Sequence, residues 1–554
     1  MTFTIVLSLI IISAIIVYLQ KSIWHRCPLV IFPAFVFILY YWSIAGAWFF
    51  IFDRLTGLGK LIGMQYHYLF DKMFPVNLDS HYLISLWMMG LFIIIFQLLI
   101  LYGVRFFSLY QLKVNFHYTG SDLFYSLVAL IFLAISIYFV YDVIIYSLIL
   151  NESVYLNIRS SGIPYYSIHQ LACWAMMLSI TIPLVLYLIS RLNQQENQNP
   201  GVLYWIVFAI CNVYMVFIGS RHEAFLCGSI VLLMLGVYNK ELLKHRILVL
   251  TIFFVWICIL ALNDPFRSLT PLVSKKIGLT DLITTSQKRN EAEWYRVDRT
   301  FITHHNSAKS NQIVADEMNR DTILYNNTDT IHIKKQVLIE YWKAGKDFIV
   351  NHNDTFKISN PHTSEVYYHL SIEDKVIKAL SGILYSNEMF TGHFSLYGVL
   401  HHHIQVNTAM SFKYLLYSFV PKFIQEKRPL SSYEYYADSL GFPSTQGFTI
   451  NHITSWYLNF YLWGILLGPI MLAIFIFMPL LLMYHSKIDN YKTAFLFVLC
   501  CIVAFAAMIV RSGPEAYKTW LVEGIVMPFI LFNSGAYFRR MLQLKWSKLN
   551  LGKT

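Results

Sequence analysis

Charge is what this chain has little of. Of 554 residues only 13% are charged, against 57% hydrophobic. Soluble globular domains carry about twice that charged fraction. So few charges cannot build a water-facing surface, so most of the surface must face lipid. Cysteine is scarce as well, and its placement matters more than its number. Cys27, Cys173, Cys211, Cys227, Cys258, Cys500 and Cys501 all fall in or beside apolar runs, and the long polar stretch 264–455 has none. That excludes a disulfide framework or a metal–thiolate site there. Internal repeats and low-complexity tracts are absent. The net charge is +11, but no basic–aromatic run accompanies it, which excludes nucleic acid as the partner. The first apolar run, from residue 3, lacks a basic leader and a small-residue cleavage site, so it reads as a retained span.

Apolar runs long enough to cross a bilayer of about 30 Å occur at 3–20, 28–51, 81–104, 123–147, 167–189, 202–219, 222–238, 247–263, 456–483, 493–511 and 519–537. The sequence therefore predicts an all-α polytopic membrane protein of about eleven transmembrane helices, with one large, partly helical outer loop. Its expected parts are an N-terminal bundle over 1–263, the loop over 264–455, and a C-terminal bundle with a cytoplasmic tail over 456–554. The pair 202–238 is the least certain in pattern, because Gly219 to Glu223 leave almost no loop. Basic residues set the orientation. With the C-terminus cytoplasmic, fifteen Lys and Arg line the inner edges and seven the short outer loops. The N-terminus is then outside, and the net charge holds the cytoplasmic face down. Within the loop, Ser371 with Glu373 and Asp374 opens one expected helix. Phe412 to Ile424, interrupted by Pro421, forms a second apolar stretch expected to lie against the membrane unit.

An ionisable group inside or at the end of a span is a candidate for function, because burying charge in lipid is costly. Arg221 sits in Gly219-Ser220-Arg221-His222-Glu223 at the outer end of two spans. It is read either as an ion pair with Glu223 or Asp142, or as a guanidinium fork aimed at phosphate oxygens. Arg511 opens the outer turn Arg511-Ser512-Gly513-Pro514-Glu515, with Lys518 just beyond and Glu523 inside the last span. His452, preceded by Asn451, lies immediately before the span at 456. It is read as a satisfied structural donor or as a general base. The loop adds Glu388, His393 and the run His401-His402-His403, where a metal is not expected because no cysteine or regular carboxylate spacing is nearby. Lys427-Arg428-Pro429 followed by Tyr433 to Asp438 forms a basic-then-aromatic passage. Arg428 and Tyr436 belong to it, and it suits an acidic or sugar substrate.

At these residues the sequence resembles the O-antigen polymerases, the Wzy-type polymerases of oligosaccharide repeat units, and their relatives the O-antigen ligases. The likeness lies in the topology and in four local features. These are Gly219-Ser220-Arg221, the Lys427-Arg428-Pro429 passage, Gly447-Phe448-Thr449-Ile450-Asn451-His452 leading to Gly464 and Gly468, and the turn Arg511 to Pro514. Three departures stand out: Gly228 follows Arg221 at a shorter spacing than in some polymerases, His452 is followed by Ile453 rather than a polar residue, and Gly464 is one position beyond the ligase spacing. The resemblance implies a GT-C-like fold and a metal-independent glycosyltransferase in the bacterial inner membrane. It implies no cofactor. Undecaprenyl-diphosphate-linked glycans are the implied substrates, and a chain-length regulator is a candidate partner. Arg221 and Arg511 would hold the diphosphate leaving group, and His452, with Glu388 and His393 behind it, would serve the acceptor hydroxyl as base. Lys427, Arg428, Tyr436 and Asn451 would contact substrate. An O-antigen ligase, using the same donor with a lipid A-core acceptor, is the nearest alternative. A polysaccharide transporter or flippase is the second, and predicts ionisable residues near the bilayer midplane.

Overall fold

A computed structural model describes residues 2–26, 31–56, 78–107, 122–150, 166–192, 199–219, 221–238, 388–420, 428–441 and 450–551. It also describes residues 154 and 158 and the strand segments 301–304, 322–325, 330–333, 348–350 and 354–359. The chain divides into two compact units. One comprises Met1–Tyr141, Gly162–Arg267 and Leu380–Thr554, and the other Asp142–Ser161 and Ser268–Ala379. The end of the long loop, from Leu380 onward, therefore groups with the helical bundle, whereas the sequence pattern predicts 264–455 as one part.

The first unit is helical. In chain order its helices are α1 (Thr2–Arg26), α2 (Ile31–Tyr40), α3 (Gly46–Thr56), α4 (Ser80–Phe107), α5 (Asp122–Leu150, whose last turns belong to the other unit), α6 (Tyr166–Leu192), α7 (Val202–Phe217) and α8 (Arg221–Tyr238). After the loop come α9 (Glu388–His401), α10 (Met410–Ser418), α11 (Ser432–Ser439), α12 (His452–Phe460), α13 (Leu462–His485), α14 (Asp489–Ala504), α15 (Ala506–Val510) and α16 (Met527–Leu551). Among the described residues, seven helical stretches are long and apolar enough to cross a membrane, and three shorter apolar helices accompany them. The chain is thus a multi-pass membrane protein. These ten fall on ten of the eleven expected runs, and the run 247–263 lies outside the described residues, as does the expected helix after Ser371. The segment 202–238 forms two helices. Gly219, at φ 70°, makes the left-handed turn between them that a side chain would resist.

The second unit contributes five short strands, which the hydrophobic pattern did not suggest. β1 (Phe301–His304) and β4 (Phe348–Val350) flank β5 (Asp354–Ser359), and β2 (Thr322–Tyr325) pairs with β3 (Thr330–Ile333). Both sheets are antiparallel, with Phe301 opposite Ser359 and Thr322 opposite Ile333.

Three departures from regular helix position the site. First, α2 and α3 are joined without a break by a π-helical turn, Tyr41–Ala45. A second π turn, Trp520–Val526, precedes α16. A π turn widens the helix and frees carbonyls for other donors. The Ser43 carbonyl accepts from His393 at 2.6 Å, and the Glu523 carbonyl from the Trp174 indole at 2.7 Å.

The third departure corrects the expected span 456–483. It is broken at Tyr461, whose backbone takes φ 54° and ψ −138°. α12 therefore precedes the spanning helix α13 as a separate, buried helix. Close packing accompanies the break. A Cβ on Gly464 would overlap the Trp456 carbonyl oxygen, and Gly468 lies against Phe92 and the Trp456 ring. The C-terminal carbonyls of α12 find donors in the loop, where Asn407 N bonds Leu458 O at 3.0 Å and Ala409 N bonds Asn459 O at 3.2 Å.

Candidate functional site

Polar side chains gather where α9 to α12 meet the start of α4, the π turn at Ser43 and the turn 511–517. α9 carries His393 and Ser395 on its buried face. Tyr82 of α4 stacks on Phe394 and touches His393, so aromatic packing holds the helix down. His393 Nδ1–H donates to the Ser43 carbonyl, and Nε2 accepts from the Tyr82 hydroxyl at 2.9 Å. Gly46 makes room for this, because a Cβ there would press on the His393 ring.

Asn451 is the N-cap of α12. Its side-chain oxygen accepts from Ile453 N at 3.0 Å, and its own backbone N–H is taken by Ser395 Oγ at 3.0 Å. His452, the next residue, has no exposed surface. Its Nδ1–H donates to the Ser512 carbonyl at 2.7 Å, which leaves Nε2 to accept from the Trp456 indole at 2.9 Å, with the Tyr517 hydroxyl 3.1 Å away. Both ring nitrogens are therefore engaged, and the imidazole is neutral. It joins the start of α12 to the turn 511–517.

Burial without a charged partner pushes both histidines down to about 4 from an ordinary 6.5. Below pH 6.5 the unfolded chain takes up a proton at each site that the folded chain refuses. Stability is therefore full above about 6.5 and is lost as the pH falls to about 4, by about 3 kcal/mol per histidine. Thermal unfolding in detergent should show the midpoint falling across that window. His452→Gln and His393→Gln should each flatten the fall, and an unchanged slope in both variants would contradict the neutral, buried assignment.

Beside His452 lies a second network that the sequence analysis did not single out. Ser411, Ser432 and Ser455 are fully buried and hydrogen-bonded through their hydroxyls, Ser432 with each of the other two. Asn459 bonds Ser411 at both its backbone N–H (2.9 Å) and its hydroxyl (2.8 Å). Glu515, half-buried in the turn after Gly513, accepts from Ser432 N and Oγ, each at 3.2 Å. Gly513 is required here, since a Cβ would overlap Ser455 Oγ and the Glu515 carboxylate. α11 presents Ser432 through a capping box between Ser431 and Glu434. That Ser-x-x-Glu spacing was legible in the sequence; its meeting with Glu515 was not.

Cations converge next to it. Lys518 Nζ donates to the Ser418 carbonyl and lies 5.7 Å from the Phe419 ring centre. Arg428 donates to the Val420 carbonyl at 2.8 Å. Both thus cap the end of α10, which stops short of Pro421. They lie within electrostatic reach of one another, and Arg428 Nε is buried without an acceptor among the described residues. Arg511 is half-buried at the C-cap of α15, in the turn that leads to Lys518. Tyr436 is buried with its hydroxyl unbonded. Arg221 and Glu388 open α8 and α9, and only their backbones are described. Lys427 and residues 447–449 lie outside the described residues.

The structure thus brings Asn451, His452, Arg428 and the Arg511 turn into one region with His393 across α9. It adds Glu515, Lys518 and the three serines. A multi-pass membrane protein with a buried polar layer under a cationic turn is the class these features define. No family model matches the chain, and neither a curated protein nor a solved structure does.

Proposed function

We propose that this chain is a membrane glycosyltransferase that polymerises undecaprenyl-diphosphate-linked oligosaccharide repeat units at the outer face of the bacterial inner membrane, with the N-terminus outside. The observation that carries the reading is the convergence of Arg428, from the loop, with Lys518, from the outer turn that Arg511 opens. Guanidinium and ammonium groups held at the end of a membrane bundle suit a diphosphate leaving group whose charge grows as the glycosidic bond breaks. The polyprenyl tails of both substrates account for the apolar body.

The acceptor sugar hydroxyl must lose its proton as its oxygen bonds the anomeric carbon and the diphosphate departs. His452 and His393 have both nitrogens engaged, which favours Glu515 as the proton acceptor. His452 then positions the turn that carries Glu515 and Arg511. The test is the length of carrier-linked glycans in cells with and without the gene. A polymerase predicts single repeat units when the gene is lost; unchanged glycan length would overturn the proposal. A ligase predicts instead that long chains stay on the carrier lipid.

One observation favours a transporter or flippase as a second reading. Glu223 is buried on α8 and interacts electrostatically with Glu523 in the π turn of the last span. Carboxylates facing each other within spans are typical of proton-coupled movement. Loss of lipid-linked glycan flipping in Glu223→Gln, with glycan transfer intact, would favour it.

A further inference from the structure

His401, the first of the run 401–403, meets a carboxylate from the far end of the chain. Asp79 is the residue before α4. Its Oδ1 accepts from His81 N at 2.8 Å, as an N-cap does, which fixes the carboxylate plane. Its Oδ2 is then 3.1 Å from His81 Nδ1 and 2.7 Å from His401 Nδ1. The three ligand atoms all lie within 4.8 Å of one another. His401 ends α9, where a left-handed residue, His403 at φ 52°, turns the chain back and Ile404 N closes on Val399 O at 3.0 Å. That turn leaves the His403 ring 5.7 Å from His81. Backbone caps on two helices thus preset one oxygen and two nitrogens, with a third imidazole at hand. About a third of each of the three side chains stays exposed, at 33–35%, so an ion can enter from solvent.

From this arrangement we infer that Asp79, His81 and His401 form a binding site for a divalent transition metal of the zinc class. Zinc bonds imidazole nitrogen and carboxylate oxygen at about 2.0–2.2 Å, so tetrahedral ligand atoms stand about 3.3 Å apart. The observed 2.7 and 3.1 Å separations require the Asp79 oxygen and the two imidazole nitrogens to open by about 0.2–0.6 Å, and the two nitrogens already lie within 4.8 Å of each other. Two imidazoles select against magnesium and calcium, which prefer all-oxygen shells. In the hydrogen bonds to Asp79 each Nδ1 carries a proton; on binding that proton is given up to water, Nε2 holds the N–H of the ring, and the Nδ1 lone pair turns to the ion. His403 or water takes the fourth position. The metal joins α4 to α9 and so holds the helix that carries His393 and Ser395. The site is a staple that stands apart from the transfer chemistry.

The test uses the full-length protein in detergent, without a polyhistidine tag, stripped by a chelator and titrated with zinc chloride alone. One saturable equivalent at micromolar concentration is expected, together with a raised thermal midpoint. Cobalt(II) should give the visible d–d absorption of a tetrahedral site. His81→Ala and His401→Ala should each weaken binding at least tenfold, and His402→Ala should leave it unchanged. No saturable binding to the wild-type protein would overturn the inference. So would undiminished binding in the His81→Ala/His401→Ala double variant, because the metal would then be held by the exposed histidine run alone. Metal binding with unchanged glycan length in cells would leave this site standing while the transferase reading fell.

Discussion

Gly464→Ala is expected to destabilise the protein more than any other single methyl group added at a described glycine. The Cβ would overlap the carbonyl oxygen of Trp456, and a backbone atom in a buried helix cannot step aside as a side-chain tip can. Overpacking costs about 1–3 kcal/mol and more where backbone must move. Here the two elements in collision are α12 and the start of α13, already joined through Tyr461 in a strained conformation. Moving them apart would also disturb His452, Ser455 and Asn459, which share α12. The control is Gly441→Ala, where φ is 69° but nothing lies within 4 Å of the added carbon. That change carries only the left-handed penalty of about 1–2 kcal/mol. Thermal midpoints in detergent should therefore fall much further for Gly464→Ala. Equal midpoints for the two variants would mean that α12 does not pack on α13 as described.

The second large effect is on activity. Arg511→Ala is expected to reduce glycan elongation at least 100-fold with the protein still present at its normal level, because removal of one preorganised charge-stabilising donor costs about 10²–10³ in rate. Arg428→Ala and Lys518→Ala should act in the same direction. Those two also cap carbonyls at Ser418 and Val420, so their folding must be checked separately. Arg428→Lys provides the discriminating comparison. It keeps the charge but loses the guanidinium fork. Partial elongation in Arg428→Lys with none in Arg428→Ala would fit diphosphate binding. Full elongation in Arg511→Ala would remove that arginine from the proposed site.

Several features were legible before any fold was known. Runs of apolar residues mark the spans because a bilayer imposes both their length and their composition. The stop before Pro421 was visible because proline cannot continue a helix. What the pattern could not show was the break at Tyr461. Nothing in Trp456-Tyr457-Leu458-Asn459-Phe460-Tyr461-Leu462 marks a helix end by its pattern, and the break is visible only where Gly464 lets α13 approach Trp456. The candidate base His452 illustrates the same limit. Its type and place suggested catalysis, whereas its partners, Ser512 and Trp456, consume both nitrogens.

The sequence by itself determined that this is a multi-pass helical membrane protein, because composition and run length depend on the solvent and not on which helix meets which. It also determined which residues were worth watching at the helix ends. The tertiary structure alone decided which of them meet. Ser432 and Glu515 are 83 positions apart, and His401 and Asp79 are 322 apart. No local spacing rule reaches across such separations. The helices α9 to α11 bring them together because their buried faces pack on α4, α12 and the turn 511–517, and that packing is a property of the whole fold.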